Sequence, residues 1–308
     1  MTSPIAHYTH GLIISRIERA EDRFLSQANS LQARRLVELE GWIRHVGDGD
    51  GIGFGALYDA PGLVGSMTVL ILDFFANMVA MGVGEGVAEI RAEEKAEGMG
   101  FGGGGVNLTE GDQSNEPGFT PSYVVEFIES RRQFAEHFDQ DAGAGVRQVI
   151  LEAVRDGLYK EQIIERLSEV LIGASRARLD TIRQTESILA YNEGRLGSFV
   201  ANKGFVVGVR FMAVGDSRTT PICLPRQELR CRLESPVLRV NIPPLHYRCR
   251  SLLGPLTKPK FRRAFRASGL LLESEYWAAE EAKWAGLPEP LPGFGRGGGD
   301  HGALSLMG

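Results

Sequence analysis

The sequence predicts an α+β fold in which a helical N-terminal region precedes a long helix and a small β-sheet. Apolar residues recur at the spacing of amphipathic helices until about residue 201, and after Gly204 the pattern becomes extended and rich in valine and phenylalanine. A glycine-rich segment separates the N-terminal helices from the rest. With 43% apolar and 24% charged residues among 308, the chain has the composition of a globular protein with a substantial core.

The N-terminal region is predicted to form helices. Residues 11–46 place apolar side chains such as Ile13 and Ile17 on one helical face. Leu63–Met81 is apolar on nearly every side and continues as the acidic, helix-favouring stretch Glu85–Glu97. A helix that is apolar all round is either enclosed by its own protein or pressed against another subunit, and both interpretations stay open here.

Neither export nor membrane insertion is predicted. Val69–Val83 falls short of the roughly 18 to 20 apolar residues that a span requires, and it contains Asp73 and Asn77. Met1–His10 lacks the basic start and apolar run of a signal peptide. Three cysteines, an odd number, fit the cytoplasm better than a disulfide framework.

Glycine marks the main boundary along the chain. Six of the eight residues in Gly98–Gly105 are glycine, and a stable helix cannot persist there. The chain is therefore predicted to have four segments: an N-terminal helical region at 1–97, a glycine-rich linker at 98–118, a domain at 119–268, and a C-terminal helix with a disordered tail at 269–308.

The first part of the domain is predicted to be helical. Val146–Arg155 and Lys160–Leu171 form a loose helix-turn-helix pattern, for which DNA recognition is one interpretation and ordinary helix packing the other. The next helix, Ser175–Ala201, carries Thr185 and Asn192 on its apolar stripe, which predicts that two polar side chains face the core.

The second part of the domain is predicted to contain the sheet. Phe205–Val214 has the β-branched content of a strand, and Val237–Ile242 is a second short candidate that Pro243-Pro244 ends. A helix follows around Leu270–Trp284, and the proline- and glycine-rich tail is predicted to be disordered from Gly286 onward.

Three short motifs carry a family resemblance. The first is the helical pair Arg183–Glu186 and Ala190–Arg195, the second is Gly215–Cys223, which contains D-x-R-T-x-P-x-C, and the third is Pro243–Ser251, which reads PP-x-H-x-x-C-R-S. Their order and spacing resemble the phage Mu F-like head-morphogenesis family across roughly Val146–Leu256, within the domain at 119–268.

The resemblance implies a minor head protein of a tailed phage or prophage. Such a protein would bind the portal, and possible further partners are scaffold, major capsid protein and packaged double-stranded DNA. It would act in procapsid assembly, DNA packaging or ejection, be present in the host cytoplasm during assembly, and end inside the virion head near the portal. The alternatives are a non-specific DNA-binding protein and a metal-dependent or cysteine/histidine enzyme.

The polar side chains of these motifs predict a structural polar cluster. Buried polar groups need partners, because each unpaired group costs on the order of 1 to 3 kcal/mol. We therefore expect the two loops to be tied to the long helix. The cluster is predicted to contain Arg183, Thr185, Glu186, Asn192, Asp216, Arg218, His246 and Arg250.

The cysteines allow a metal site. The resemblance implies a C-x-x-C before the H-x-x-C in many family members, a set that could bind zinc, but here Thr220 occupies the first position. Cys223, His246 and Cys249 remain, with Cys231 as an irregular fourth ligand. Alternatively, the cysteines are small buried residues and His246 is a hydrogen-bonded core imidazole.

Catalysis is not predicted, although two arrangements can be drawn. Cys223 could act as a nucleophile with His246 as its base, or Glu186 could pair with His246 in a nuclease-like site. No phosphate-binding glycine loop with its lysine and no H-E-x-x-H motif occurs in the sequence. We therefore expect a structural protein and not an enzyme.

Positive charge is concentrated near the end of the domain. Twelve basic and two acidic residues lie between Arg218 and Arg266, an excess of ten that leaves −15 for the rest of a chain of net charge −5. Such a surface could bind nucleic acid, or it could be a solvated surface without a dedicated partner. The candidates for DNA contact are Arg248, Lys258, Lys260, Arg262, Arg263 and Arg266.

Overall fold

The computed structural model describes residues 4–45, 66–96, 122–156, 158–174, 179–292 and 294. The predicted linker at 98–118 lies outside these residues. The chain divides into two compact units: the first comprises Met1–Glu18, Phe75–Ser130 and Gln184–Gly308, and the second comprises Arg19–Phe74 and Arg131–Arg183.

Helices dominate the described residues, as the sequence predicts. Those before the sheet are α1 (Pro4–His45), α2 (Ser66–Ala96), α3 (Ser122–Asp156), α4 (Lys160–Ser168) and α5 (Ser187–Ala201). Two short π-helical segments, Glu169–Ala174 and Ile182–Glu186, follow α4 and precede α5.

The second unit has an apolar core of its own. Side chains of α1, α3 and α4 pack together there, with Leu39, Ile150 and Ile163 fully buried. The helix-turn-helix pattern corresponds to the end of α3 and to α4, whose residues Ile163 and Leu167 point into this core. The apolar spacing that predicted these helices is therefore explained by packing.

The apolar N-terminal stretch forms one continuous helix. The sequence placed Leu63–Met81 and Glu85–Glu97 in succession, and the described residues of both stretches lie within α2. Within the described part of the chain, Met67–Ala96 is long and apolar enough to cross a membrane, so the length argument made for Val69–Val83 does not hold. Core helices of soluble proteins pass the same test, and 44% of the apolar window is buried in the protein.

The first unit contains a three-stranded antiparallel sheet. Its strands are β1 (Val206–Met212), β2 (Arg230–Arg232) and β3 (Leu252–Thr257), in the order β2-β1-β3. Val209 of β1 lies opposite Cys231 on one side and Pro255 on the other. The sheet and α5 share a core that includes Leu196, Phe199 and Phe211. The α+β prediction is thus confirmed.

The second predicted strand is wrong. Val237–Ile242 lies instead in and after the one-turn helix α6 (Pro236–Arg239), where the Ser235 hydroxyl accepts a hydrogen bond from the Val237 N–H. Strands β2 and β3 were not predicted from the sequence. Gly254 and Pro255 are residues that do not favour a strand, so the sequence pattern does not indicate β3. The strand tolerates a proline because it lies at the edge of the sheet.

The C-terminal part continues the first unit. Helices α7 (Lys258–Ser268) and α8 (Glu273–Ala282) pack through Phe261, Tyr276 and Trp277. Disorder does not begin at Gly286, because the Pro288 carbonyl accepts a hydrogen bond from Arg226 and the Leu291 N–H donates to Leu245 O.

Candidate functional site

Asn192 joins α5 to the start of β3. Its Nδ2 donates to Ile188 O at 2.9 Å and to Ser251 O at 3.2 Å, and its Oδ1 accepts from the Leu253 N–H at 2.9 Å. Asn192 is fully buried. All three contacts are to backbone groups, and those to Ser251 O and the Leu253 N–H supply partners that the edge strand would otherwise lack there.

Arg195 is the largest fully buried side chain of the described residues. Its Nε donates to Leu253 O at 2.7 Å, and its Nη2 lies 2.8 Å from Glu89 Oε2 on α2. The guanidinium also lies over the Tyr191 and Phe199 rings. Burial lowers the pKa of Arg195, but the Glu89 carboxylate and the Tyr191 hydroxyl together raise it more, so the residue is held as a cation.

Glycines allow α2 and α5 to approach closely. A Cβ on Gly82 would lie 2.1 Å from Tyr191 O, and one on Gly194 would lie 2.1 Å from Val79 O. One turn further along, a Cβ on Gly86 would meet Ser198 Oγ. Because backbone atoms occupy these positions, any larger residue at 82 or 194 would force the helices apart. This close approach brings Glu89 within reach of Arg195.

Cys223, His246 and Cys249 form one buried group. Cys223 Sγ lies 3.2 Å from His246 Nε2 and 3.7 Å from Cys249 Sγ, and the three potential ligand atoms are all within 4.8 Å of one another. His246 Nδ1 is 2.7 Å from Tyr247 O, which fixes a proton on Nδ1. Arg248, with a left-handed φ of 58°, makes the turn between His246 and Cys249.

The two thiols of this group differ in acidity. The hydrogen bond with Cys249, followed by burial, raises the pKa of Cys223 far above its usual range. Burial also raises the pKa of Cys249, but hydrogen bonds from Cys223 and His246 outweigh burial and lower it. Burial lowers the pKa of His246, and the Cys249 thiolate raises it overall. Cys249 is therefore the more acidic of the two thiols.

An ion pair closes the loops around this group. Arg250 donates to both carboxylate oxygens of Asp216, at 2.6 and 3.0 Å, and so links the loop that leads to Cys223 with the loop that ends in Ser251. The Arg250 hydrogen bonds hold the pKa of Asp216 well below its usual range. Asp216 also caps its own turn by accepting from the Arg218 N–H.

Arg226 fastens the other side of the Cys223 loop. It is buried, and its guanidinium donates to Ile222 O, to Asn241 Oδ1 at 2.8 Å and to Pro288 O at 2.8 Å. Burial lowers the pKa of Arg226. The side chain therefore joins three segments of the chain that are far apart in sequence.

Within the predicted polar cluster, Asp216 contacts Arg218 and Arg250, whereas Thr185 and Asn192 bind backbone groups of the adjoining segments. Thr185 Oγ1 accepts from the Arg248 N–H at 3.4 Å, which adds a contact between the π-helical segment before α5 and the His246 loop. Arg218 is exposed and lies 3.6 Å from Asp216. Glu186 is half-buried beside Thr185.

Two predicted residues lie elsewhere. Arg183 belongs to the second unit, where it pairs with Asp180 and Asp22, so it is not part of the cluster. Cys231 lies on β2 opposite Val209 and is outside the group formed by Cys223, His246 and Cys249. Its thiol is buried, which raises its pKa. The sequence spacing could not show that Cys231 lies on a strand outside the group of Cys223, His246 and Cys249.

Much of the local positive charge is neutralised by acids from outside the basic segment. Arg230 lies 4.0 Å from Glu280, and Arg232 lies 3.1 Å from Glu281. Lys260, one of the DNA-contact candidates, pairs with Glu93 at 2.5 Å. The exposed candidates are Arg248, Lys258, Arg262, Arg263 and Arg266, and the last four belong to α7.

Two site residues, Arg195 and Arg226, were not predicted from the sequence. Arg195 falls within the Ala190–Arg195 motif, at three positions from Asn192, and an arginine on that stripe was the available signal. For Arg226 the sequence gives no signal beyond its place among many basic residues.

Comparison with known proteins matches one segment of the chain. Residues 144–253 match the family model described as Phage Mu protein F like protein. This range covers α5, β1, β2 and the three motifs, and confirms the resemblance predicted for Val146–Leu256. No curated protein and no solved structure gave a significant match to the chain.

Proposed function

Because residues 144–253 match the phage Mu F-like family, we propose that this protein is a minor head protein that acts at the portal vertex of a tailed phage or prophage. The family match supports a role in head morphogenesis. The portal location, and a role in procapsid assembly, DNA packaging or ejection, are the finer parts of the proposal. Its partners would be the portal protein, and scaffold or major capsid protein, within the head.

The face of α7 supports contact with DNA. Lys258, Arg262 and Arg266 follow one another at intervals of four residues, so they lie along one side of the helix, and all three are exposed. Phe261, on another side of the helix, is buried against α8. A rigid row of cations on a packed helix suits contact with phosphates, which gives binding without base reading.

The N-terminal helices are poor targets for a truncation experiment. Helix α2 supplies Gly82 and Glu89 to the packing of α5, and Leu39 of α1 lies in the core of the second unit. Removing residues 1–97 would expose both cores. Surface variants of the full-length chain therefore test the proposal better.

The decisive experiment is deletion and complementation in an inducible prophage that encodes the protein. We expect the deletion to abolish infectious particles, and the wild-type gene to restore them. Purified particles should contain the protein, and crosslinking should join it to the portal. Normal yields of DNA-filled, infectious heads without the protein would overturn the head role.

The DNA contact is tested by charge reversal on α7. The variant Lys258→Glu, Arg262→Glu, Arg266→Glu should still enter particles but should package or deliver less DNA. With purified protein, the slope of log affinity for duplex DNA against log salt should become shallower by about 2 to 3 units, since each lost phosphate contact removes about 0.9.

A matched control uses three exposed arginines of α1. The variant Arg23→Glu, Arg34→Glu, Arg44→Glu changes the net charge equally and should leave the salt slope close to that of wild type. Equal effects of both variants would contradict a specific role for α7. Tight DNA binding by a protein that never enters heads would favour the independent DNA-binding alternative.

A further inference from the structure

We infer that Cys223 Sγ, Cys249 Sγ and His246 Nε2 bind one zinc ion, with a fourth ligand that is not cysteine on the side of Thr220. The three side chains come from two loops that lie apart in sequence. The site would join them independently of any role in a phage head.

The distances agree with three corners of a zinc tetrahedron. Bonds of about 2.3 Å to sulfur and 2.0 Å to nitrogen at tetrahedral angles place two sulfurs about 3.8 Å apart, and a sulfur and a nitrogen about 3.5 Å apart. The observed separations are 3.7 Å between the sulfurs and 3.2 Å between Cys223 Sγ and His246 Nε2, and Cys249 Sγ lies within 4.8 Å of His246 Nε2. Small side-chain movements would therefore suffice to admit the ion.

The imidazole is oriented as a zinc ligand. The Tyr247 carbonyl accepts the Nδ1 proton at 2.7 Å, which leaves the Nε2 lone pair directed at the sulfurs. Metal-binding histidines are commonly held in this way by a carbonyl or carboxylate on the other ring nitrogen. Two thiolates would neutralise the charge of Zn²⁺, so the loaded site would carry no net charge into the protein interior.

The fourth position distinguishes this chain from the four-ligand pattern that the family resemblance implies. Thr220 Oγ1 accepts from the Cys223 N–H at 3.4 Å and lies where the first cysteine of a C-x-x-C pair would be. Its hydroxyl, or a water molecule, would complete the coordination. Cys223 and Cys249 are buried and His246 is nearly so, which favours a closed structural site over a catalytic one.

Metal content provides the first test. Full-length protein purified without chelator should contain about one zinc per chain by mass spectrometry of the metal. Replacing zinc by Co²⁺ should give the thiolate charge-transfer and d–d absorption of a tetrahedral site. Cys223→Ser and Cys249→Ser should each lose the metal, whereas Cys231→Ser, a matched variant at a buried cysteine outside the group, should retain it.

Gain of affinity provides a second test that loss of folding cannot imitate. Thr220→Cys should tighten zinc binding by at least the roughly 10- to 100-fold that outer-shell partners contribute, whereas Thr220→Ser should not. Competition with a coloured chelator measures both. No zinc in the wild-type protein and no gain in Thr220→Cys would overturn the inference, as would a Cys223–Cys249 disulfide in freshly purified protein.

Discussion

Two polar attachments hold the Mu F-like segment together, and they lie in opposite environments. Asn192 and Arg195 attach α5 to β3 from fully buried positions, whereas Asp216 and Arg250 join two loops at the surface. A buried charge that loses its partner is strongly destabilising, while a surface pair is weakened by solvent and salt. We therefore expect that changes to the buried contacts of α5 lower the free energy of unfolding of this unit much more than changes to the surface pair.

The largest expected effect is that of Arg195→Ala. This change leaves Glu89 without its cation and Leu253 O without its donor, so we expect the free energy of unfolding to fall by about 3 to 5 kcal/mol. Arg195→Lys should recover part of this loss, because a single ammonium keeps the charge but not the forked contacts.

Tryptophan fluorescence during urea unfolding measures this change in the correct unit. In a Trp42→Phe background the remaining tryptophans, Trp277 and Trp284, both lie in the first unit with Arg195. Since the two units can unfold separately, a local probe is needed. A loss of less than about 1 kcal/mol would show that the buried pair contributes little, as some buried pairs do.

The contact between α2 and α5 is tested by two glycines on one helix. Gly82→Ala places a methyl group against Tyr191 O, and we expect a loss of about 1 to 3 kcal/mol, since a backbone atom cannot rotate away. Gly84→Ala meets nothing within 4 Å and should instead stabilise the helix by about 0.5 to 1 kcal/mol. The same fluorescence measurement applies, and equal effects would rule out the close approach.

The buried attachment could be predicted in part from the sequence. Thr185 and Asn192 interrupt an apolar stripe at helical spacing, and this local pattern shows that polar groups face the core. Which backbone groups they bind depends on β3, whose glycine and proline conceal it. The glycines 82 and 194 are equally uninformative alone, because their meaning lies in a contact between distant segments.

For the loops, the sequence indicated which segments meet but not every residue that takes part. The order of the motifs indicated that the Cys223 and His246 loops meet, since both carry residues that need partners. Sequence spacing could not exclude Cys231, because only its pairing on β2 with β1 shows where it lies. Arg226 was not predicted because two of its three acceptors are backbone carbonyls, which every residue type provides.

The smallest expected effect is that of Asp216→Asn. The pair with Arg250 is partly exposed, so we expect a loss of only about 0.5 to 1 kcal/mol at neutral pH. Because the folded pKa of Asp216 is depressed, this contribution is complete above the unfolded pKa of about 4, declines below it and is lost as the pH falls through the folded pKa. Wild type and Asp216→Asn should therefore converge in acid, and Arg250→Gln should add nothing to Asp216→Asn in a double-mutant cycle. A difference that persists unchanged at pH 2 would mean that Asp216 acts through its turn and not through its charge.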